Sequence, residues 1–483
     1  MELYKLSKLS SVTELQNSTE NKDITGITES STKVKAGYLF IAVKGHEVDG
    51  HDFIEEAVER GAAVVIGEYP AEQISVPYIQ VDNSRKVLGQ LAAAFYGFPS
   101  RDKLVIGVTG TNGKTTTSLF IQHLLKKIGY RVSYFGTIFN EVNGVRTKSA
   151  LTTPPSCFIQ EQLSQSDDEA VVIEVSSQGL AQHRMEGLEF DYALFMNLQH
   201  DHLDYHNTME DYFYSKKRLF SYLKSNGKAI VYTDDDWGMK LKNLLEQEGQ
   251  EVLTVGSKNN ANIQIDEILK TNGMISIEQD TYKVKSPLPG TYNVINTIMA
   301  GSVVYDMGKS FDQVNDWIQD IEQIAGRFES YLIKDEVYSV VDYAHTAEAV
   351  DLLLKTVREI YPKYHLIHIF GFRGNRDITK RNKMIEVSSK RSDKTILTLD
   401  DLNKVPEEEM KEEYKKYLDK SIVVEMDRTR AVYKAAAAAA GPTIIVVTGK
   451  GHETYQQHFE LGTATDTETV KLIRKQLKNE EYC

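Results

Sequence analysis

The run Gly107-Val108-Thr109-Gly110-Thr111-Asn112-Gly113-Lys114-Thr115-Thr116 has the composition of a phosphate cradle. Backbone N–H groups in a glycine-rich turn, with a helix N-terminus behind them, bind phosphate oxygens. Lys114 has the reach for the terminal phosphates of a nucleotide, and the Thr115 hydroxyl can hold Mg²⁺. Val108 stands where the strict G-x-x-x-x-G-K-[ST] spacing has its first glycine. An ordinary glycine turn has no need of Lys-Thr-Thr between an apolar strand and a helix, so the reading is nucleotide binding. The loop alone names no reaction, because motors, switches and kinases carry relatives of it.

Further along, Glu174 closes the apolar run Ile173-Glu174-Val175-Ser176-Ser177. A carboxylate there can ligate Mg²⁺ directly or through water; taken alone it reads equally as a solvated strand end. The stretch Asn197-Leu-Gln-His200-Asp201-His202-Leu-Asp204-Tyr205-His206 packs three of the chain's twelve histidines beside two aspartates. Zinc is a poor fit, since there is no helical H-x-x-x-H pair and the only cysteines are Cys157 and Cys483. A histidine that helps to hold Mg²⁺ or orients phosphate suits the neighbourhood better. Lys216, Lys217 and Arg218 then sit on a short amphipathic helix, which in isolation reads as a solvated face.

The elements that position these residues follow from periodicity. Leu104 to Val108 is a buried strand, and Phe120, Leu124 and Ile128 repeat every four residues on the helix after the loop. Ala170 to Val175, Ala193 to Asn197 and Lys228 to Tyr232 are further buried strands with helical stretches between them, which implies a parallel sheet covered on both faces. Before this unit lie strands at Tyr38 to Val43 and Ala62 to Ile66 and a helix from Ser84 to Tyr96. After Gly326 the pattern restarts with strands at Val337 to Val341, Leu366 to Phe370, Lys394 to Leu399 and Thr443 to Thr448. The alanine run predicts a helix over 431–440.

At 483 residues the chain is long enough for several domains. Its 69 acidic and 56 basic residues leave a formal charge of −13, which argues against a protein that coats nucleic acid or an anionic membrane. Two cysteines support no disulfide framework. No window is apolar for long enough to span a bilayer, and a cytoplasmic location is the expectation.

Together these motifs resemble the Mur ligase family, in its tripeptide-forming branch, over nearly the whole chain. Gly37 to His46 and Asp49-Gly50-His51 are similar to the family's uridine-nucleotide-binding domain, whose D-S-R signature appears here as Glu29-Ser30-Ser31. Thr152-Thr153-Pro154, Ser176, Gln182 and Arg184 match positions that hold the muramoyl peptide. Leu288-Pro-Gly290 with Asn293 and Asn296, Gly326-Arg327-Phe-Glu329, Asp342-Tyr-Ala-His345-Thr346 and Gly449-Lys-Gly-His-Glu453 match the later signatures.

The resemblance implies an α/β fold with the three-domain Mur ligase architecture: a central P-loop parallel-sheet ATPase domain and a Rossmann-like C-terminal domain. Residues 1–100 would bind UDP-sugar (Ser30, His46, Thr152, Thr153, Ser176, Gln182 and Arg184 contacting the UDP-sugar peptide), 101–327 ATP, and 328–483 the amino acid. ATP would meet Gly110 to Thr116, Asn293, Asn296, Arg327, Asp342 and His345. Lys114, Glu174, His202 and Lys216 would be catalytic, with Mg²⁺ on Thr115, Glu174, His202 and a CO₂-derived carbamate of Lys216. The incoming amino acid would meet Arg376, Asp400, Asp401, Gly449 and Glu453.

The implied reaction is phosphorylation of a carboxylate by ATP, followed by attack of an amine on the acyl phosphate. The implied substrates are UDP-N-acetylmuramoyl-L-alanyl-D-glutamate and an amino acid, handled by a monomer. Members that use diaminopimelate carry D-N-P-R, and here Asp400-Asp401-Leu402-Asn403 stands in its place, which disfavours diaminopimelate and leaves L-lysine open. Gln178, Ala347 and Gly371-Phe-Arg-Gly374-Asn-Arg376-Asp377 also depart from the family pattern. Three alternatives stand beside this reading: a paralogue coupling another amine or carboxylate in a specialised peptide pathway, a catalytically silent UDP-sugar-peptide sensor, and a folate-type polyglutamate ligase. The last would lack the uridine-site pattern of the first domain.

Overall fold

The computed structural model describes residues 1, 3, 6, 22–45, 48–70, 74–258 and 261–480. His46, expected at the uridine site, lies outside the described residues. Three sheets organise the chain. The first holds β1 (Gly26–Thr28), β2 (Tyr38–Ile41), β3 (Ala62–Gly67) and β4 (Tyr78–Gln80), in that order and all parallel. The helix Ser84–Phe95 closes this unit and is capped by Asn83, whose side chain accepts from the Lys86 N–H.

The central sheet has β5 (Leu104–Thr109), β6 (Val132–Phe135), β7 (Phe139–Val142), β8 (Val145–Lys148), β9 (Ala170–Glu174), β10 (Phe190–Phe195), β11 (Leu223–Tyr232) and β12 (Val252–Gly256). It ends in β13 (Ile263–Leu269), β14 (Asn272–Ile277) and β15 (Asp280–Lys285). Their order is β15-β14-β13-β12-β11-β10-β5-β9-β6-β7-β8. From β13 to β6 neighbouring strands run parallel, and the flanking β13–β14–β15 and β6–β7–β8 pairs are antiparallel. The parallel centre is covered on both faces, which is why β5 and β9 read as unbroken apolar runs. On one face the helices Lys114–Lys127 and Thr291–Asp306 share a core through Phe120, Leu124, Val294 and Ile298.

The antiparallel flanks were not expected from the apolar pattern, because their strands are short and partly or wholly exposed. β8 has no buried residue. A local signal was nevertheless present: Asn143 and Gly144 both have positive φ, 51° and 75°, the turn that joins two strands by two residues.

The third sheet contains β16 (Glu329–Lys334), β17 (Val337–Asp342), β18 (His365–Phe370), β19 (Lys394–Leu397), β20 (Ile422–Val424) and β21 (Thr443–Thr448) in the order β16-β17-β21-β18-β19-β20. Only β16 is antiparallel to its neighbour. The alanine-rich helix runs Arg428–Ala437, three residues short of its expected end. Gly441-Pro442 follows, and Pro biases the chain before it away from helix.

Within this unit Arg428 and Asp466 form an ion pair with no exposure to water. Its Nε and NH2 lie 2.7 and 2.8 Å from the two carboxylate oxygens, and NH2 also donates to the Thr448 carbonyl at 2.8 Å. The pair ties the last helix to the end of β21. Removing one partner leaves the other charge buried and unmet, so Arg428→Ala is expected to lower unfolding free energy by about 3–5 kcal/mol in a urea titration. Asp466→Ala in the same background is expected to cost far less than additively.

His368 is fully buried between Ser388 Oγ (2.8 Å) and Thr448 Oγ1 (2.9 Å), and burial, with the Arg428 charge, pushes its pKa down to about 3. The unfolded chain therefore takes up a proton that the native state refuses. Stability held above pH ~6.5 falls by about 1.4 kcal/mol per unit as pH drops toward 3. His368→Gln should flatten that part of the pH–melting curve relative to the parent; an unchanged slope would contradict the assignment.

Candidate functional site

The carboxyl end of β5 lies between those of β9 and β10, the place where open parallel sheets bind ligands. β5 runs directly into the glycine loop. Gly110 has φ 154°, and Gly113 has φ 89°, a left-handed turn from which the helix Lys114–Lys127 starts. A Cβ on Gly113 would come within 2.7 Å of Asn296 Oδ1, so the loop needs glycine there for both conformation and space. The Asn112 N–H donates to Asn197 Oδ1 at 2.9 Å, and its Nδ2 donates to Gln199 Oε1 at 2.7 Å. The loop is thereby tied to the segment after β10.

Glu174 has no exposure to water, contrary to the solvated-strand-end reading. Register places it opposite Val108. Its Oε2 accepts from Thr115 Oγ1 (2.8 Å) and Thr137 Oγ1 (2.9 Å), while Oε1 accepts from the Thr137 N–H (2.9 Å) and from Tyr134 OH. Arg327 NH2 donates to Thr115 Oγ1 at 3.0 Å and its guanidinium stacks on Tyr343, 4.7 Å from the ring centre. Asp342 accepts from the Phe328 and Ala344 N–H groups, each at 2.8 Å, which fixes the turn that carries Arg327.

Two lysines converge on one carbonyl. Lys114 Nζ and Lys216 Nζ each donate to Gly110 O at 2.8 Å, and Lys114 also reaches Thr111 O at 2.9 Å. Burial lowers the pKa of Lys114, with Glu174 and Asp201 opposing. Burial and then Lys114 lower Lys216 much further, well below the ordinary ammonium range. Lys216 is 1% exposed on the helix Met209–Lys217 and lies 4.5 Å from the Tyr212 ring centre, so the solvated-face reading fails for it. It holds for Lys217, which meets Glu248 at 2.6 Å.

The histidines divide. His202 has φ 55° and its Nε2 lies 3.6 Å from Asp201 Oδ2; burial pushes its pKa down to about 4 despite Asp201. His206 accepts or donates to Ser177 Oγ at 2.9 Å, and burial takes it to about 4 as well. His200 meets Asp377 at 3.1 Å. His345 Nε2 stands 3.3 Å from Asp201 Oδ2. Burial works against charge on Asp201, but the His345 hydrogen bond and its neighbours, Lys380 among them, hold it well below the carboxylate range.

A cavity of about 610 Å³ joins these groups to the carboxyl ends of β17, β18, β19 and β21. Gly110 and Lys216 do not line it but support the loop from behind, whereas Thr111 to Thr116, Asn293, Asn296, Arg327, Asp342 and His345 do. Thr152, Ser176 and Arg184 line it also. Arg184 NH1 donates to Thr153 O and NH2 to Gln182 Oε1, both at 2.6 Å; Thr153 Oγ1 donates to Glu174 O at 2.8 Å. Ser30 lies outside the cavity, with its Oγ 2.9 Å from Thr32 Oγ1. Its neighbour Glu29 is half-buried, and desolvation raises its pKa against the charges of Arg85 and Arg184.

On the opposite wall Arg376 NH1 is 3.4 Å from Asp204. Asp401 is paired with the buried Lys450 at 2.6 Å, and it lies behind the wall. Gly449, φ 103°, puts its carbonyl 2.9 Å from Arg373 NH2, which also binds Glu453 Oε2. Glu453 Oε1 accepts from Tyr343 OH at 3.1 Å, and Asp400 Oδ1 is 3.6 Å from Arg373 Nε. Burial opposes charge on Arg373, but Tyr343, Asp400 and Glu453 keep its pKa above the usual guanidinium value. Arg373 was not singled out from the sequence; its only signal was the altered stretch Gly371 to Asp377. Tyr134 and Thr137, which hold Glu174, carried no signal at all.

Family models for the Mur ligase family catalytic domain, the Mur ligase middle domain and the Mur ligase glutamate ligase domain match residues 23–96, 108–304 and 326–451. The chain is 36% identical over 468 residues to a UDP-N-acetylmuramoyl-L-alanyl-D-glutamate–2,6-diaminopimelate ligase of Fusobacterium nucleatum, covering 94% of this chain and 95% of that one. The chain belongs to the Mur ligase family. A ligase of the same name from Aquifex aeolicus is 38% identical over 448 residues, covering 90% of each chain.

A solved structure of a ligase of the same name superposes on this Mur ligase with a TM-score of 0.67, at 28% identity and covering 94% of this chain and 95% of the other. MurF ligase from Thermotoga maritima in complex with ADP gives 0.66 at 20% identity, covering 94% and 98%, a likeness of fold. Folylpolyglutamate synthase from Mycobacterium tuberculosis, at 16% identity and TM-score 0.60, covers 76% of this Mur ligase and 92% of its own chain. The fold is thus the α/β Mur ligase architecture expected from the motifs.

Proposed function

We propose that this chain is an ATP-dependent, ADP-forming ligase that adds an amino acid to UDP-N-acetylmuramoyl-L-alanyl-D-glutamate through an acyl phosphate, in peptidoglycan precursor synthesis. The observation that carries the reading is one cavity bounded by the phosphate loop on one side and the Arg376–Glu453 rim on the other. It is supported by relatives of that acceptor specificity aligned along 90–95% of their length. Residues 1–100 bind the UDP-sugar, 101–327 ATP and 328–483 the amino acid, in a monomer working in the cytoplasm. Among the described residues no helix is long and apolar enough to cross a membrane.

The acceptor carboxylate attacks the γ-phosphorus of ATP, breaking its bond to the bridging oxygen and releasing ADP. The amine then attacks the acyl carbon, loses a proton, and expels phosphate as the amide forms. Lys114, held at the loop by two carbonyls, neutralises charge on the transferring group; the phosphates favour its ammonium form against burial. Arg327 and the Asn293–Asn296 end of the helix Thr291–Asp306 bound the nucleotide side, with Asp342 and His345. Ser30, His46, Thr152, Thr153, Ser176, Gln182 and Arg184 hold the UDP-sugar peptide, and Arg376, Asp400, Gly449 and Glu453 form the amino-acid pocket, backed by Asp401 through Lys450. Enclosure between the two walls keeps water from the acyl phosphate.

The residues present fit Mg²⁺. Thr115 Oγ1 and Glu174 Oε2 are hard oxygen donors 2.8 Å apart at the loop, and His202 is neutral. Among the described residues no three His, Cys, Asp or Glu side chains converge as a metal set; Thr115, Glu174, His202 and modified Lys216 would hold the ion, with Glu174 exchanging its Thr115 hydrogen bond for it. Bound there, the ion supplies charge neutralisation for the phosphates. A carbamate on Lys216 fits too: its amine is buried, its pKa is far depressed, and it makes one protein hydrogen bond, to Gly110 O. CO₂ adds to a neutral amine and converts it into a carboxylate-bearing group.

Purified protein should release ADP when given ATP, the UDP-muramoyl dipeptide and one member of an amino-acid panel. Silence across the panel with ATP binding intact would sink the acceptor assignment. Lys114→Ala should lower kcat by about 10²-fold or more without loss of fold. Lys216→Ala should lose comparable activity and recover part of it with formate or acetate; absence of rescue at any concentration would count against the carbamate.

A further inference from the structure

Every acidic side chain named at the amino-acid wall of the cavity already faces a partner within the chain. Glu453 is held by Arg373 and Tyr343, Asp400 faces Arg373 Nε at 3.6 Å, and Asp401 is paired with buried Lys450. Asp377 and Asp204 meet His200 and Arg376. A substrate side chain ending in an ammonium would find no unpaired carboxylate there.

Arg373, by contrast, has donors to spare. Both of its hydrogen bonds come from NH2, and Nε is buried facing Asp400 at 3.6 Å, which leaves NH1 without a hydrogen-bond partner among the described residues. Its guanidinium lines the cavity with Arg376, so two guanidinium groups face the space where the amino acid enters. One α-carboxylate satisfies one of them.

The side chain at 403 does not compete for this role. Asn403 Nδ2 donates to Gly374 O at 2.9 Å, and its Oδ1 accepts from Gln456 at 3.2 Å, so its amide is engaged in loop structure. The same bond brings the 403 loop against the residue next to Arg373.

We infer that Arg373 is the specificity-determining residue of the amino-acid pocket, selecting an amino acid whose side chain ends in a carboxylate over one ending in an ammonium alone. The inference rests on the ligase reading above. It replaces the expectation, drawn from Asn403, that diaminopimelate is disfavoured: the cation is supplied from the loop after β18 instead of the loop after β19.

Diaminopimelate and L-lysine are the matched probes, since they differ by one carboxylate. The parent enzyme should favour diaminopimelate in kcat/KM, and Arg373→Ala should reduce the diaminopimelate-to-lysine ratio by about 10²-fold, mostly through KM. Arg373→Lys, which keeps the charge and tests against simple misfolding, should retain part of the preference. Arg373→Ala combined with Asn403→Arg should recover it. A parent enzyme that prefers lysine, or a ratio unmoved in the folded Arg373 variants, overturns the inference. Calorimetric binding of the two amino acids in the presence of a non-hydrolysable ATP analogue gives the same ratio without turnover. Absence of turnover with a binding preference lost in Arg373→Ala would therefore refute the ligase reading and leave Arg373's role standing.

Discussion

A carboxylate with no access to water is stable only if its lone pairs are met, and Glu174 is met on all of them. Its partners come from three places: the helix after the phosphate loop, the end of β6, and the turn that follows it. That single anion therefore sets where the loop, the helix N-terminus and the Thr152–Thr153 segment stand relative to one another. Arg327 reaches the same Thr115 hydroxyl from the start of the third unit. One line of alignment between the nucleotide side and the amino-acid side thus passes through one hydroxyl and one carboxylate, beside the His200–Asp377, His345–Asp201 and Arg376–Asp204 contacts.

The far wall is built differently. There Lys450 and the NH2 of Arg373 are engaged by the chain's own acids, and the Arg428–Asp466 pair anchors the strand end from which Gly449 projects. Burial keeps His202 and His206 neutral, pushing each down to about 4. Neutral imidazoles can accept a hydrogen bond or a metal, where charged ones could do neither.

Much of this was legible in the residues. The apolar runs at Leu104, Ala170, Val337 and Thr443 gave strands because both faces of a parallel sheet are dry. Glycines with lysine and threonines gave the loop because backbone conformation there admits little else. The antiparallel flanks escaped because an exposed strand such as β8 needs no apolar code. Taken by itself the run made Lys216 a solvent-facing cation, since three cations in a row do not reveal which member turns inward, and only the family resemblance picked it out. Arg373 escaped for a related reason: its meaning lies in partners on β21's loop and after β19, distant in sequence and joined only by folding.

The two margins of the eleven-strand sheet are finished by opposite means. At β15 the outer backbone is sealed by amides: the Lys285 N–H donates to Asn315 Oδ1 at 2.8 Å, Gln319 Nε2 donates to Lys285 O at 2.9 Å, and Asn315 Nδ2 binds Lys283 O. At β8 the margin is left open but carries Arg146 and Lys148 in a fully exposed strand. Unsealed edges of so broad a sheet are templates for chain-to-chain pairing. A cap on one side and charge on the other let the molecule stay dispersed when crowded, a colloidal property written into two strands remote from any substrate.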